Sequence, residues 1–438
     1  MNTTQEAILP DKEAVNVAGK IQFSGNYRVP LSALITLFFM WGFITCMNDI
    51  LIPHLKILFQ LNYLQSMLVQ FCFFGAYFTG SLIYFLVSYY RGDAINKIGY
   101  KKGIVAGLFI SVAGCLLFYP ATIFSAYWIF LAALFILGLG FTLLQITANV
   151  YVALLGAPEG ASSRLNLAQA FNSLGTTMAP IIGGVLIFGS THESVTAGSS
   201  KLPYLVFAVV FVAAAILICI IRLPVFKSET AEKKGLGAWS FPQLRLGVFG
   251  IFCYVGAEVA IGSLMISLLK QANIMNLPEP AGKNYLAIYW GGAMIGRFLG
   301  AISLNRQLSG AKKIMYMALT AVAVFGIIFR MISLPFTSVA SFIIFLIINL
   351  LAFIAGRSAP ARTLLLFALI NIALVAICMY SDGKLAMWAI LSVGLFNSIM
   401  WSNIFTLSIS GLGKHTNQGS SLLIMAILGG ALIPLLQG

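Results

Sequence analysis

Apolar residues in this chain come in long blocks with little internal alternation. Thirteen blocks of about 20 residues lie near 31–53, 64–89, 103–119, 126–150, 166–188, 202–221, 246–269, 284–304, 313–333, 338–356, 361–380, 385–410 and 419–437. About 20 residues at 1.5 Å of rise each carry an α-helix across the roughly 30 Å hydrocarbon core of a bilayer. Membrane strands would alternate apolar and polar positions every second residue, and these blocks do not. The pattern predicts an all-α integral membrane protein. Residues 1–30 are polar and of mixed charge, with no short apolar core followed by a small-residue cleavage site, so they read as a cytoplasmic N-terminal tail rather than a cleaved leader.

Composition removes the alternatives. The 438 residues are 60% hydrophobic and 9% charged, with mean hydropathy +0.96, whereas a soluble chain carries about a quarter charged residues. The net charge of +14 comes from 26 Lys and Arg against 12 acids, strung singly between apolar blocks rather than gathered on one face. That spacing excludes a nucleic-acid partner and leaves the lipid bilayer as the chain's surroundings. Counting sides alternately from a cytoplasmic N-terminus puts nineteen Lys and Arg on the cytoplasmic side and six opposite, with Arg297 inside a span. Cytoplasmic loops of membrane proteins carry such an excess, so a multi-pass protein of a cell membrane is expected, the inner membrane in a bacterium. The six cysteines all fall inside apolar blocks with no CxxC pair, so neither a disulfide framework nor a metal site is expected, and no cofactor. His54, His192 and His415 lie in loops or at span ends and read as solvated.

The longest charged connection, 222–245, follows the sixth span and reads as a cytoplasmic linker between an N-terminal six-helix half, 31–221, and a C-terminal half, 246–438. Parallel halves leave equivalent residues at a fixed offset. Asp49 and Glu258 are 209 residues apart, and Lys101-Lys102 and Lys312-Lys313 are 211 apart. Asn149 and Asn403, like Pro180 and Pro434, are 254 apart. The jump predicts an inserted helix pair at 313–356, with 361–380 as the ninth span of a six-plus-six plan. The 254 offset would place the sixth span's counterpart past residue 438, so the last helix is expected to be missing from this chain.

The loop Gly92-Asp93-Ala-Ile-Asn96-Lys97-Ile-Gly99-Tyr-Lys101-Lys102 ends like the cytoplasmic gate motif of the major facilitator superfamily, with its acid displaced to Asp93, and a degenerate copy runs from Gly296-Arg297 to Lys312-Lys313. Residues 38–53 (FFMWGFITCMNDILIP), 163–175 (SRLNLAQAFNSLG), 254–263 (YVGAEVAIGS), 290–298 (WGGAMIGRF) and 394–400 (GLFNSIM) resemble the glucose/galactose transporter branch of the fucose permease family within that superfamily. The resemblance covers nearly the whole chain apart from the insertion. It implies the major facilitator fold and alternating access about a central site, with a cation carried inward alongside a sugar. The fucose permease has a fourth-span acid where this chain has Gln145, so only one acid of a two-acid relay transfers. Trp401 and Ser402 stand where relatives have Phe or Tyr and Pro, which leaves specificity open.

Sugar hydroxyls are held by a few placed polar groups, and ring faces lie on aromatics. Asn48, Gln145, Asn149, Gln169, Asn172 and Asn397 are amides within apolar blocks, with Asn166 and Asn403 beside them, and Tyr254, Trp290 and Trp401 are plates, with Trp41 and Phe171. Each amide alone also fits interhelical hydrogen bonding. Gln169 and Asn172, three residues apart, share a helix face. Asp49 and Glu258 are the intramembrane carboxylates; each costs about 2.5–3.5 kcal/mol if ionised at a helix centre, which points to a paired, protonated or cation-binding role. The expected function is import of a hexose, glucose or galactose, by proton or sodium symport in a monomer. A drug/proton antiporter is the alternative, from the small-residue stretch Gly175–Gly184. No GxxxxGK[ST] loop or catalytic constellation points to an enzyme.

Overall fold

The computed structural model describes residues 15–17, 20–22, 27–188, 201–226, 235–332 and 334–437. A short antiparallel pair, β1 (Val15–Val17) and β2 (Lys20–Gln22), precedes the helices. The first half comprises α1 (Arg28–Phe59), α2 (Tyr63–Arg91), α3 (Ala94–Ile98), α4 (Tyr100–Leu116), α5 (Phe118–Ile123), α6 (Tyr127–Leu154), α7 (Ala161–Phe188) and α8 (Lys201–Ile220). The second comprises α9 (Pro242–Leu269), α10 (Glu279–Ser303), α11 (Gly310–Met331), α12 (Phe336–Val339), α13 (Ser341–Ala355), α14 (Pro360–Tyr380), α15 (Gly383–Asn397), α16 (Met400–Ile409), α17 (Thr416–Met425) and α18 (Gly429–Gln437). Eleven described spans have the length and apolarity to cross a membrane.

The apolar blocks become helices because, away from water, a backbone must bond to itself. Polar residues set the ends. Asn62 and Gln65 form a reciprocal capping box at 2.8 and 3.0 Å that starts α2. Glycine sets how closely helices approach. A side chain at Gly175 of α7 would enter the α1 backbone at Phe39 and Phe43, and one at Gly42 of α1 would enter that of Asn172. At the 254-residue offset stands Gly429, which meets the backbone of Phe252 on α9, and Phe252 follows Phe43 by the 209 that separates Asp49 from Glu258. The small residues of the Gly175 stretch therefore serve close packing, which needs no antiport to explain it.

α4 packs against α6 and α8, and α2 against α6; α10 packs against α15, and α14 against α15 and α16. Across the halves α7 meets α10 and α2 meets α17. Lying mainly on α10, α11 leaves Leu319 and Val322 exposed, while α13 touches α10, α14 and α15.

Several expected spans are interrupted, two of them in ways that shape the core. The block 385–410 breaks between α15 and α16, where the Ser398 hydroxyl bonds the Leu395 carbonyl at 2.7 Å and the Ser398 carbonyl accepts from Arg297 Nε at 3.3 Å. Such a side-chain bond competes with the helix ladder, and a neighbouring cation stabilises the freed carbonyl. The block 419–437 divides at a 3₁₀ turn, Ala426–Leu428, just before Gly429 closes on α9. His192 and Lys227, Lys233 and Lys234 of the linker lie outside the described residues.

Candidate functional site

A cavity of about 580 Å³ lies between the halves, within the roughly 300–1,000 Å³ usual for small-molecule sites. It is bounded by α1, α2, α6, α7, α9, α10 and α16, and its lining runs by way of Ile52, Val69 and Gln70 toward the end of the bundle where α1 stops and α2 begins. Of the residues expected to bind substrate, Gln145, Gln169, Asn172, Tyr254, Trp290 and Trp401 line it, together with Glu258 and Arg297.

α7 contributes most of the polar wall, because Gln169, Asn172 and Thr176 follow at spacings of three and four and so share one face. Asn172 Nδ2 donates to the Phe38 carbonyl at 3.0 Å, tying that face to α1. Aromatic side chains from both halves line the cavity. On the first-half wall Trp41 Nε1 donates to the Tyr77 hydroxyl at 3.3 Å, and the Tyr77 ring meets Phe73 edge-on at 5.2 Å between centroids. On the other, Trp290 sits over Gly262, where any side chain would strike its ring. Trp401 stacks on Phe405 at 6.0 Å, and its Nε1 is buried with no hydrogen-bond partner. Gln70, Tyr77 and Thr176 are lining residues that the sequence reading missed; an amide alone in the apolar run of the second span was the signal for Gln70.

Two expected binding amides are elsewhere. Asn397 accepts from Asn371 Nδ2 at 3.0 Å and donates to the Tyr289 hydroxyl at 3.3 Å; that hydroxyl donates to the Glu258 carbonyl at 3.2 Å. Asn397 is thus a brace behind α9 rather than a cavity group, because Tyr289 stands between. Asn149 is fully buried and one helical turn beyond Gln145, away from the cavity. Asn48 and Asp49 belong to α1, but their side chains lie outside the described residues.

Arg297 corrects a second expectation. Its place in the degenerate motif copy suggested the cytoplasmic gate, yet on α10 it turns inward and lines the cavity, since Gly296 and Gly300 bring α10 onto the break at Ser398 and Ile399. One Arg297 nitrogen lies 3.7 Å from Glu258 Oε1, each side chain being 13% exposed. Others donate to Ser173 Oγ on α7 and to the Ser398 carbonyl. Arg297 therefore joins α7, α9 and the helix break through one planar fork.

The opposite end of the bundle is shut. Asn417 of α17 donates to Asn96 Oδ1 at 3.0 Å and Asp93 Oδ1 at 3.3 Å, and Asn96 Nδ2 donates to the Lys414 carbonyl at 3.1 Å. Ser163 Oγ donates to the Ala301 carbonyl at 2.6 Å, and Ser162 and Thr406 hydroxyls are 2.6 Å apart. Asp93 caps α3 through the Asn96 N–H at 3.0 Å and accepts from the Tyr84 hydroxyl at 2.8 Å. Burial pushes its carboxyl above the ordinary aspartate range, against the lowering effect of those hydrogen bonds. Gly99, at φ +87°, makes the left-handed corner between α3 and α4. Lys101 Nζ donates to the Cys219 and Ile221 carbonyls at 2.8 and 3.0 Å, holding the end of α8. Lys97 Nζ donates to the Arg91 carbonyl at 2.5 Å, and Lys102 is exposed.

The sequence profile described as Major Facilitator Superfamily matches residues 31–363. The chain is 43% identical over 419 residues to a glucose/galactose transporter of Brucella abortus, covering 94% of this chain and 88% of that one. It is 28% identical over 441 residues to the L-fucose-proton symporter of Escherichia coli, covering 95% and 87%. Among solved structures it is similar to FucP, a Major Facilitator Superfamily transporter in the outward conformation, with a TM-score of 0.72, 28% identity and coverage of 93% and 90%.

Proposed function

This chain belongs to the major facilitator superfamily, and from that premise we propose that it imports a hexose, glucose or galactose, by proton symport through alternating access. The observation that carries the reading is the cavity between the halves, walled by amides on one side, aromatic plates on both, and a single internal ion pair. Amides and plates suit the hydroxyl-bearing edges and flatter faces of a neutral sugar ring. The Glu258–Arg297 pair leaves the wall without net charge, which also suits a neutral substrate.

The end sealed by Asp93, Asn96 and Asn417 is the cytoplasmic one, because the excess of Lys and Arg falls on that side. The N-terminus is then cytoplasmic, and the arrangement is outward-facing, with sugar entering at the α1–α2 end. α11 to α13 form the added pair, beside α10 and outside the transport core, in a chain that works as a monomer.

Asp49 couples the proton to the sugar, with Glu258 the second candidate. Glu258 is already engaged by Arg297, whereas Asp49 is the acid that the sequence matches to the family's first-helix motif. A carboxylate gains and loses a proton; an amide cannot. Asp49→Asn should therefore preserve sugar binding and equilibrative exchange while abolishing uphill accumulation. The measurement is labelled-hexose uptake into proteoliposomes under an imposed proton gradient, then a sodium gradient, for parent and variant. Parent-like accumulation by the Asn form would move the coupling role to Glu258, and a parent that responds to sodium alone would overturn proton coupling.

A further inference from the structure

Three helices carry polar residues from the cavity into the sealed end. On α6, Asn149 follows Gln145 by one turn; on α7, Asn166 precedes Gln169 by one turn; on α16, Ser402 and Asn403 follow Trp401. Each step leads about 1.5–6 Å away from the cavity along its helix, at 1.5 Å per residue. All four side chains are fully buried.

A seal serving only to hold the halves together would satisfy these groups or dispense with them, since a buried polar atom without a partner is destabilising. This one satisfies them only in part: Asn403 donates through Nδ2 to the Pro360 carbonyl at 3.3 Å. Asn166 Nδ2 donates across the halves to Asn403 Oδ1 at 3.1 Å and to the Ser162 carbonyl at 2.8 Å, which reads as a latch. Yet Asn166 Oδ1, the Ser402 hydroxyl and both polar atoms of Asn149 have no hydrogen-bond partner. Asn149 bridges nothing, so interhelical bonding does not account for it.

We infer that Asn149, Asn166, Ser402 and Asn403 form the release-side stretch of the sugar path, closed in this arrangement, whose amides and hydroxyl take the hydroxyl groups of a hexose when the sealed end opens. The inference rests on the alternating-access reading above. Its chemistry repeats that of the cavity: Asn149 offers a donor amino group and an acceptor oxygen, as Gln145 does a turn earlier, so a sugar leaving Gln145 exchanges one amide for another instead of crossing an apolar plug.

The test compares the full-length parent with Asn149→Leu and Asn149→Ser, purified and reconstituted. Three quantities are read: equilibrium binding of labelled glucose and galactose, hexose counterflow, and reorientation without sugar. The last is followed by thiol labelling of a Ser163→Cys probe at the sealed end, with the exposed Cys219 and Cys253 replaced. Asn149→Leu should bind sugar within about twofold of the parent, showing that it folds. It should lose tenfold or more in counterflow rate and reorient without sugar at a near-parental rate; Asn149→Ser should recover much of the counterflow. Unchanged counterflow in Asn149→Leu would overturn the inference. So would an equal slowing with and without sugar, which would assign Asn149 to gate hydration. Loss of equilibrium binding in both variants would also overturn it, by placing Asn149 in the outer site or the core. A parent that exchanges no hexose would instead bring down the transport reading itself.

Discussion

Replacing Glu258 by Gln leaves Arg297 without its counter-charge at the cavity wall. The two charged groups approach to 3.7 Å with each side chain 13% exposed. At an effective dielectric constant of about 20, unit charges about 4 Å apart attract by roughly 4 kcal/mol, before the loss of hydration is counted. Desolvation offsets much of that, and a net coupling of about 1–3 kcal/mol is expected. Glu258→Gln, Arg297→Gln and the double variant form a double-mutant cycle, read from the unfolding free energies of purified proteins in mixed micelles. Arg297→Gln should be the more damaging single change, because it also frees the Ser398 carbonyl at the helix break and the Ser173 hydroxyl on α7. The double variant should be less destabilised than the sum of the singles by the coupling energy, since it strands no buried charge. A coupling below about 0.5 kcal/mol would refute the reasoning, because non-additivity of that size is ordinary for sites that do not interact.

Three further outcomes are expected. Trp401→Phe keeps the aromatic plate and removes a buried Nε1 donor that has no partner, so sugar affinity by equilibrium binding should stay within about twofold of the parent and the unfolding free energy should not fall by more than about 1 kcal/mol. Gly175→Leu forces a branched side chain into the backbone of α1 at Phe39 and Phe43, and should destabilise the protein by about 3 kcal/mol or more, seen as loss of monodisperse material on size exclusion. Asp93 makes closure of the sealed end pH-dependent. Its carboxyl sits above the ordinary range while closed and returns to that range once water reaches it. The stabilisation of closure is therefore complete below the ordinary aspartate value and is lost as pH rises through the raised one. Labelling of the Ser163→Cys probe should accelerate across that window, and Asp93→Asn should flatten the profile.

The sequence by itself determined that the chain is a bundle of membrane helices and roughly where each lies, and it shows residues recurring at fixed offsets. Each of these is a local property: a block of about 20 apolar residues partitions into lipid whatever its neighbours do, and a repeated residue keeps its offset. Gln145, Gln169, Asn172, Tyr254, Trp290 and Trp401 were legible for the same reason, since a polar or aromatic side chain in such a block is conspicuous before its neighbours are known. Which way each points was not. Gln145 and Asn149 are alike in sequence and one turn apart, yet one lines the cavity and the other is sealed beneath it. Asn397 looked like a sugar ligand until Tyr289 stood between it and the cavity, and Arg297 looked like a gate residue until the break at Ser398 gave its guanidinium a carbonyl to face. Hydropathy fixes a helix against lipid, one segment at a time. The rotation of that helix, and so the face it turns to the cavity, is set by which backbones the glycines let approach and which distant side chains complete the hydrogen bonds, and those partners lie up to hundreds of residues away in the chain.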